Sequence, residues 1–362
     1  MERDNLLENC EIVYIIVGSV VGLRTLFMAN SVVKTANQDG WMGIVISVVY
    51  PLYITFIAIY LSKVFPKDNI LAVSKKCFGN VVGSFFNAMF LIQFLIQSVL
   101  ALVAYSNLVR VYTVTFLTPL KIALISVILG GYVAYKGIKV IARVSKIIFY
   151  LIIVLMLMST TALQYGTLYN VMPVFGSGFI NILKAGIDSV DAYRGIECIF
   201  LLYPFMSDKK ALKKCGLTSV FICLAIFTWV TFITIYYLGP DVVTKKLWPY
   251  ISVNESFRLP TLNNFRYAFV FFWTFSTFKS IAIDYYSSTY IISDIFKNLD
   301  RRKVCVALAP VIIITSLYLK DENTKRHFVS YMSDRFTLIN FFYATIILIV
   351  VFINQRKAKQ VS

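Results

Sequence analysis

Apolar residues along the chain gather into runs of roughly the length that crosses a bilayer, separated by short polar connections. An apolar helix of about 20 residues spans roughly 30 Å of hydrocarbon. Ten runs have that scale: 11–34, 41–64, 80–110, 118–136, 140–162, 179–206, 216–239, 264–296, 303–320 and 334–355. They are too long and too continuous for barrel strands, which alternate over about 10 residues. Helices satisfy every backbone group within the segment, which lipid demands. The pattern predicts an all-α membrane protein, one polytopic domain over 1–362 with about ten transmembrane helices.

Two of the runs are interrupted. The first reads "EIVYIIVGSVVGLRTLFMANSVV", with Gly18, Ser19 and Gly22 ahead of Arg24, and the sixth contains "GIDSVDAYRGIE" with Asp188, Asp191, Arg194 and Glu197. A glycine weakens a helix by about 1 kcal/mol relative to Ala, and a charge at bilayer depth costs at least about 2.5–3.5 kcal/mol. Each break alone has a structural explanation. Gly18 and Gly22 have the G-x-x-x-G spacing of close helix packing. The pairs Lys184–Asp188, Asp191–Arg194 and Arg194–Glu197 can neutralise one another on an intact helix.

As spans one and six of ten, the breaks occupy the positions of discontinuous helices in a five-plus-five inverted repeat. Repeat one is then about 11–162 and repeat two about 179–355, a symmetry inferred from span count and break positions, since no internal sequence repeat marks it. In that arrangement the amides of Gly22 to Thr25 direct positive dipole at a carboxylate. Carbonyls of Asp188 to Ala192 accept from an ammonium, so the expected ligand is an amino acid.

Composition agrees with the span count. The chain is 59% hydrophobic with a mean hydropathy of +0.75, above the roughly 45–50% apolar usage of soluble domains. "MERDNLLENCE" is polar and acidic, with no cleavable signal, so the first span is expected to stay in the mature protein.

Lys and Arg outnumber Asp and Glu by 35 to 18, and they cluster in alternate connections. One set carries Lys63, Lys67, Lys75 and Lys76; Lys136, Lys139, Arg143 and Lys146; Lys209, Lys210, Lys213 and Lys214; Lys297, Arg301, Arg302 and Lys303; and Arg356, Lys357 and Lys359. The other set is poorer: 163–178 has none, although 241–266 holds Lys245, Lys246, Arg258 and Arg266. Basic connections face the cytoplasm, so both termini are expected there. The same charges attract anionic lipid headgroups, and their scatter among spans argues against a nucleic-acid partner.

Cys10, Cys77, Cys215 and Cys305 fall near the basic side and Cys198 and Cys223 within spans, with no disulfide or metal spacing. The single histidine, His327, is expected in an external connection. Neither a metal, a cofactor nor a nucleophile–base set is expected, so the chain does not read as an enzyme.

"YRGIE" at 193–197 resembles the aromatic-x-Gly-x-Glu break in span six of the amino acid-polyamine-organocation transporters. "QDGW" (38–41), "YP" (50–51), "FPKDNILAVSKKCFGNVVG" (65–83), "YKGIKVIARVSKI" (135–147), "NVMPVFGSGFINILKAG" (170–186), "YPFMSDKK" (203–210), "YLGPDVVTKKLWP" (237–249) and "NNFRYAFVFFW" (263–273) follow in an order that resembles the B subunit of nutrient germinant receptors of endospore-forming bacteria. This resemblance implies a subunit of a spore inner-membrane complex, with A and C partners, that senses a small nutrient and starts germination. It carries over Gly18, Ser19 and Gly22 in the first break and Tyr193, Gly195 and Glu197 in the sixth. Arg24 departs from the small or apolar residue usual there: it either holds the ligand carboxylate or neutralises Asp191 or Glu197.

Two other spans offer polar groups. Gln93 and Gln97 share a helix face at i,i+4, either as interhelical hydrogen bonds or, for Gln97, as a ligand contact. Span eight holds Ser276, Thr277, Lys279 and Ser280. Lys279 needs a partner other than Asp284, five residues on and off its face. It either snorkels, joins a structural ion pair, or stands with Ser280 where related transporters bind a sodium ion. Sensing and ion-coupled amino acid transport stay open as alternatives, because one site serves both.

Overall fold

The computed structural model describes residues 6–257, 265–296, 299–319 and 322–361, the side chains of 322–334, 336 and 357–361 apart. Arg258, Lys297 and the side chains of Lys357 and Lys359 therefore lie outside the described residues, as does the side chain of His327.

Span one is α1 (Asn9–Val20), a 3-10 turn at Leu23–Leu26 and α2 (Met28–Ala36). Span two is α3 (Gly40–Ile46) and α4 (Val49–Val64), and span three is the outer part of α5 (Ile70–Tyr112). Gly79, at φ 80°, divides α5 into an arm and the span proper, a backbone conformation that glycine adopts without steric cost. Asn69 caps the arm, its Oδ1 accepting from Ala72 N at 2.9 Å. Spans four and five are α6 (Pro119–Lys136) and α7 (Ile138–Ser159). Thr118 and Pro119 open α6 as cap and first residue, where a missing N–H costs nothing.

Span six is α8 (Phe179–Ser189), 3-10 turns at Val190–Tyr193 and Ile196–Cys198, and the short α9 (Ile199–Leu202). Span seven is α10 (Leu212–Leu238); α11 (Pro240–Lys245) and α12 (Pro249–Asn254) fold the connection after it. Spans eight to ten are α13 (Phe265–Ile295), α14 (Arg301–Tyr318) and α15 (Glu322–Val361). The ten expected runs thus become ten spans, with spans one and six broken. The loop expected around His327 is a correction, since residues 322–361 form one helix, whose apolar span is 337–356.

Among the described residues six helical stretches are long and apolar enough to cross a membrane by themselves: 28–64, 70–112, 119–136, 138–164, 209–238 and 337–356. Spans six, eight and nine fall short of that measure, and so does α1 taken alone. Breaks shorten spans one and six, α13 carries buried Ser276, Thr277, Lys279, Ser280 and Asp284, and α14 starts with Arg301, Arg302 and Lys303. The polar spans sit inside: α13 packs along α5, and α1 lies among α7, α10 and α13. Apolar side chains such as Ile128, Ile147, Leu157 and Ile314 are exposed on the outer spans, as a lipid-facing surface requires. All six cysteines are free thiols.

A candidate ligand site where two helices break

The two interruptions meet. Gly195 adopts φ 112°, and a Cβ built there would stand 2.6 Å from the carbonyl oxygen of Ser19. Only a glycine permits both that conformation and that approach. Span one breaks at Val21 and Gly22, which are extended. The break leaves the last carbonyls of α1 and the first amides of the next turn without intrahelical partners.

Those carbonyls are met from α13. Lys279 Nζ donates to Val21 O at 2.9 Å, Ser276 Oγ donates to Val21 O at 3.3 Å, and Ser280 Oγ donates to Gly18 O at 3.2 Å. Lys279 is 2% exposed, so it does not snorkel, and its partner is a backbone carbonyl at the break. Gly18 and Gly22 let α13 come this close: a Cβ at Gly22 would lie 2.9 Å from Ser280 Oγ, and one at Gly18 3.1 Å from Lys279 Cδ.

Span six breaks on charged side chains. Arg24 Nη1 donates to the Asp191 carbonyl and pairs with its carboxylate at 2.9 Å. Arg194 pairs with the same carboxylate and donates to Thr337 Oγ1 of α15 at 3.3 Å. Arg24, the departure noted in the first break, pairs with Asp191, so its side chain bridges the two breaks, each partner about a quarter exposed. Arg24 also occupies one of the carbonyls expected to receive a ligand ammonium. Asp188, by contrast, accepts from Thr35 Oγ1 at 2.7 Å, tying α8 to α2.

Glu197 is fully buried. It accepts from Tyr50 Oη at 2.5 Å, from its own break at Gly195 N at 2.7 Å and from Asn340 Nδ2 at 3.4 Å, so one carboxylate joins spans two, six and ten. Tyr193 points away from the break, donating to Ile44 O at 3.2 Å and packing on Phe227; its contacts are those of a helix anchor. Tyr50 enters the sequence reading only within the "YP" motif, and Thr337 and Asn340 not at all. The signal for Asn340 was its isolation as an amide within the apolar "TLINFFYATIIL".

Gln93 and Gln97 are buried at 1% and 8% exposure. Neither polar atom of Gln93, nor Nε2 of Gln97, has a hydrogen-bond partner, so the interhelical bonds expected of them are not formed. Leaving a buried amide unpaired costs about 1–3 kcal/mol per group. Ser19 Oγ, Asp284 Oδ1 and Asn340 Oδ1 are also buried without partners. An open cleft of about 380 Å³ lies elsewhere, among Tyr237, Leu238, Val242, Glu255 and Ser256. Its one acid, Glu255, is paired with Arg266 at 3.2 Å, and neither break lines it. Among the described residues no cluster of His, Cys, Asp and Glu is arranged to hold a metal ion.

Comparison with known proteins gives this arrangement a context. A family model described as "Spore germination protein" matches residues 6–325. Spore germination protein YndE of Bacillus subtilis (strain 168) is 23% identical over 314 residues, covering 85% of this chain and 86% of its own. Spore germination protein GerQB of Bacillus cereus is 19% identical over 312 residues, covering 86% of each. Among solved structures, MhsT in complex with L-phenylalanine superposes with a TM-score of 0.63 at 13% identity, covering 93% of this chain and 87% of that one. At that identity the likeness concerns the fold, that of transporters built as inverted repeats with broken first and sixth helices.

Proposed function

Because the chain belongs to the spore germination protein family, we propose that it is the B-type membrane subunit of a nutrient germinant receptor that binds a small nutrient, an amino acid, between the breaks of spans one and six. The convergence of Gly195 on the Ser19 carbonyl carries this reading, since it brings both broken backbones to one place inside the bundle. Gly18, Ser19, Gly22 and Arg24 contribute from span one, Asp191, Gly195 and Glu197 from span six, Gln97 from span three; Tyr193 anchors span six. The ligand's carboxylate takes the amides after Gly22, at the positive end of the turn. Its ammonium takes carbonyls of span six and the acid groups beside them.

Lys279 and Ser280 stand at the first break as a fixed donor set. In its protonated form Lys279 is a tethered cation on the carbonyl of Val21, so the site needs no sodium ion to hold its backbone open. Ligand binding then shifts an equilibrium between states without a coupled cargo ion. A and C subunits of the receptor are the partners, the spore inner membrane is the location, and both termini face the cytoplasm.

Ion-coupled secondary amino acid transport is the second reading, favoured by the fold shared with MhsT. Radiolabelled amino acid accumulation in proteoliposomes under an imposed proton or sodium gradient, with binding measured in the same preparation, separates the two. The receptor reading expects saturable, sodium-independent binding and no accumulation against the gradient. Robust gradient-driven accumulation sinks it in favour of the carrier.

A further inference from the structure

The connection between spans five and six carries a surface that water does not suit. From Ile147 to Leu183 the sequence holds no charged residue, yet α7 ends at Ser159 and α8 begins only at Phe179. The uncharged run therefore continues through the whole connection. Leu168, Tyr169, Met172, Val174, Phe175 and Phe179 are 45–89% exposed there. The connection after span seven, at the same end of the bundle, is built differently and holds Asp241, Lys245, Lys246 and Glu255. A contiguous exposed apolar patch marks contact with a membrane or with another protein.

The backbone of the connection is turned inward. Thr167 N donates to Tyr236 O at 3.2 Å, and Gly176 N and Gly178 N close turns on Pro173 O and Phe175 O at 3.0 Å each. The Asp39 carboxylate, fully buried, accepts from Phe175 N and Ser177 N at 2.9 Å each and from Ser177 Oγ at 2.7 Å. Amides paired within the protein and apolar side chains left outside are what a non-helical segment beside lipid requires. Phe175 adopts φ 63°, a conformation that is sterically costly for a bulky side chain, and its ring still stands outside the core. A glycine would make the same turn in water without that cost.

The patch is also continuous with a surface that faces lipid. Ile147, Tyr150, Val154 and Leu157 form an exposed stripe on α7, spaced as one helix face, and it leads into the connection. Ile180 and Ile187 carry exposed apolar surface on along α8. Lys184 between them has a stem long enough to bring its ammonium to the headgroups. We propose that residues 163–180 are an interfacial anchor, lying in the headgroup boundary of the bilayer at this end of the bundle. Tyrosine rings favour that depth, and backbone groups left unpaired meet headgroups and water there instead of hydrocarbon. Without charges the anchor is indifferent to headgroup charge, unlike the basic connections at the opposite end. Asp39 follows α2 and the anchor precedes α8, with Gln38 Nε2 donating to Pro173 O at 3.0 Å as a second tie. The second half of span one and the first half of span six are thereby held at one depth, whatever binds between the breaks.

Spin labelling of the full chain in lipid nanodiscs tests the anchor. Cys10→Ser and Cys77→Ser leave only the four buried cysteines, and a nitroxide is attached at Tyr169→Cys or, in a second variant, at Leu168→Cys. Collision with oxygen, which partitions into lipid, is compared with collision with a water-soluble nickel chelate. The oxygen-to-nickel ratio is expected to stand several-fold above that of Asp208→Cys, at an exposed polar position, and to approach that of Leu157→Cys on the stripe of α7. It is expected to stay the same when anionic lipid is replaced by neutral lipid. A ratio equal to that of Asp208→Cys places the connection in water and overturns the anchor, and a ratio that needs anionic lipid overturns its uncharged character. Poor access of both reagents at 168 and 169 also overturns it, because a second copy of the chain would then cover the patch.

Discussion

The two breaks solve the same problem by different means. Span one opens on small residues and hands its unpaired carbonyls to a neighbouring helix, where Lys279, Ser276 and Ser280 receive them. Span six opens on charged residues and binds much of its own polarity, with Glu197 accepting from Gly195 N and Asp191 pairing with Arg194. A break supported from outside can be tuned by another helix without altering its own sequence. A break supported from within is fixed by its own side chains, and its contacts with Tyr50, Thr337 and Asn340 transmit any movement to spans two and ten.

The contrast predicts different sensitivities. Gly195→Ala is expected to be the most damaging single change, because a Cβ there meets Ser19 O at 2.6 Å in a positive-φ conformation. Strain and overpacking together should cost about 2–5 kcal/mol, read as a collapsed thermal midpoint and lost binding in detergent. Gly22→Ala should cost well under half of that, since its φ is −139° and the group in the way is the rotatable hydroxyl of Ser280. Equal losses at the two glycines would erase the distinction between the breaks.

Lys279→Met comes next. It leaves Val21 O with only the 3.3 Å bond from Ser276, a loss of about 1–3 kcal/mol for a buried group. If the amine stands in for a mobile cation, ligand binding by the methionine variant should fall and be partly restored by sodium. The unaltered protein should be indifferent to the same salt change.

How much of this was legible in the sequence depends on the range of the interaction. Spans, both breaks and the polar face of α13 came from local patterns of hydrophobicity, glycine and charge, which are written within one helix turn or two. That Arg24 finds Asp191, that Lys279 finds Val21 O, and that Gln93 finds no helix partner depend on how separate spans stack. Hydropathy does not encode those contacts. Asn340 is one amide in an apolar run and looks like any other polar residue until Glu197 is placed beside it.

Glu197→Gln tests whether span six is held by charge or by geometry. The amide keeps one acceptor for Gly195 N–H or Tyr50 Oη but turns its NH2 toward groups that now donate to it, so about 1–2 kcal/mol should be lost, as for a hydrogen bond to a charged group made neutral. Glu197→Ala should lose more, and a glutamine variant no less affected than the alanine one would mean that the charge itself holds the break.

Ser280→Ala is the smallest expected effect and the most discriminating for span one. Ser280 Oγ donates to Gly18 O at 3.2 Å and to the carbonyl of Ser276, a turn earlier in its own helix, at 3.1 Å. The hydroxyl has one proton, so it supports the break only part of the time. Interhelical hydrogen bonds in membrane proteins average about 0.6 kcal/mol, and removing a shared one should cost no more than that in thermal unfolding. The substitution also frees space beside Gly22, so combining it with Gly22→Ala should restore most of the stability which the glycine change alone removes. A double variant as damaged as the sum of its parts would mean that the Ser280 hydroxyl is not what Gly22 was small to admit, and the support of span one would then rest on Lys279 and Ser276.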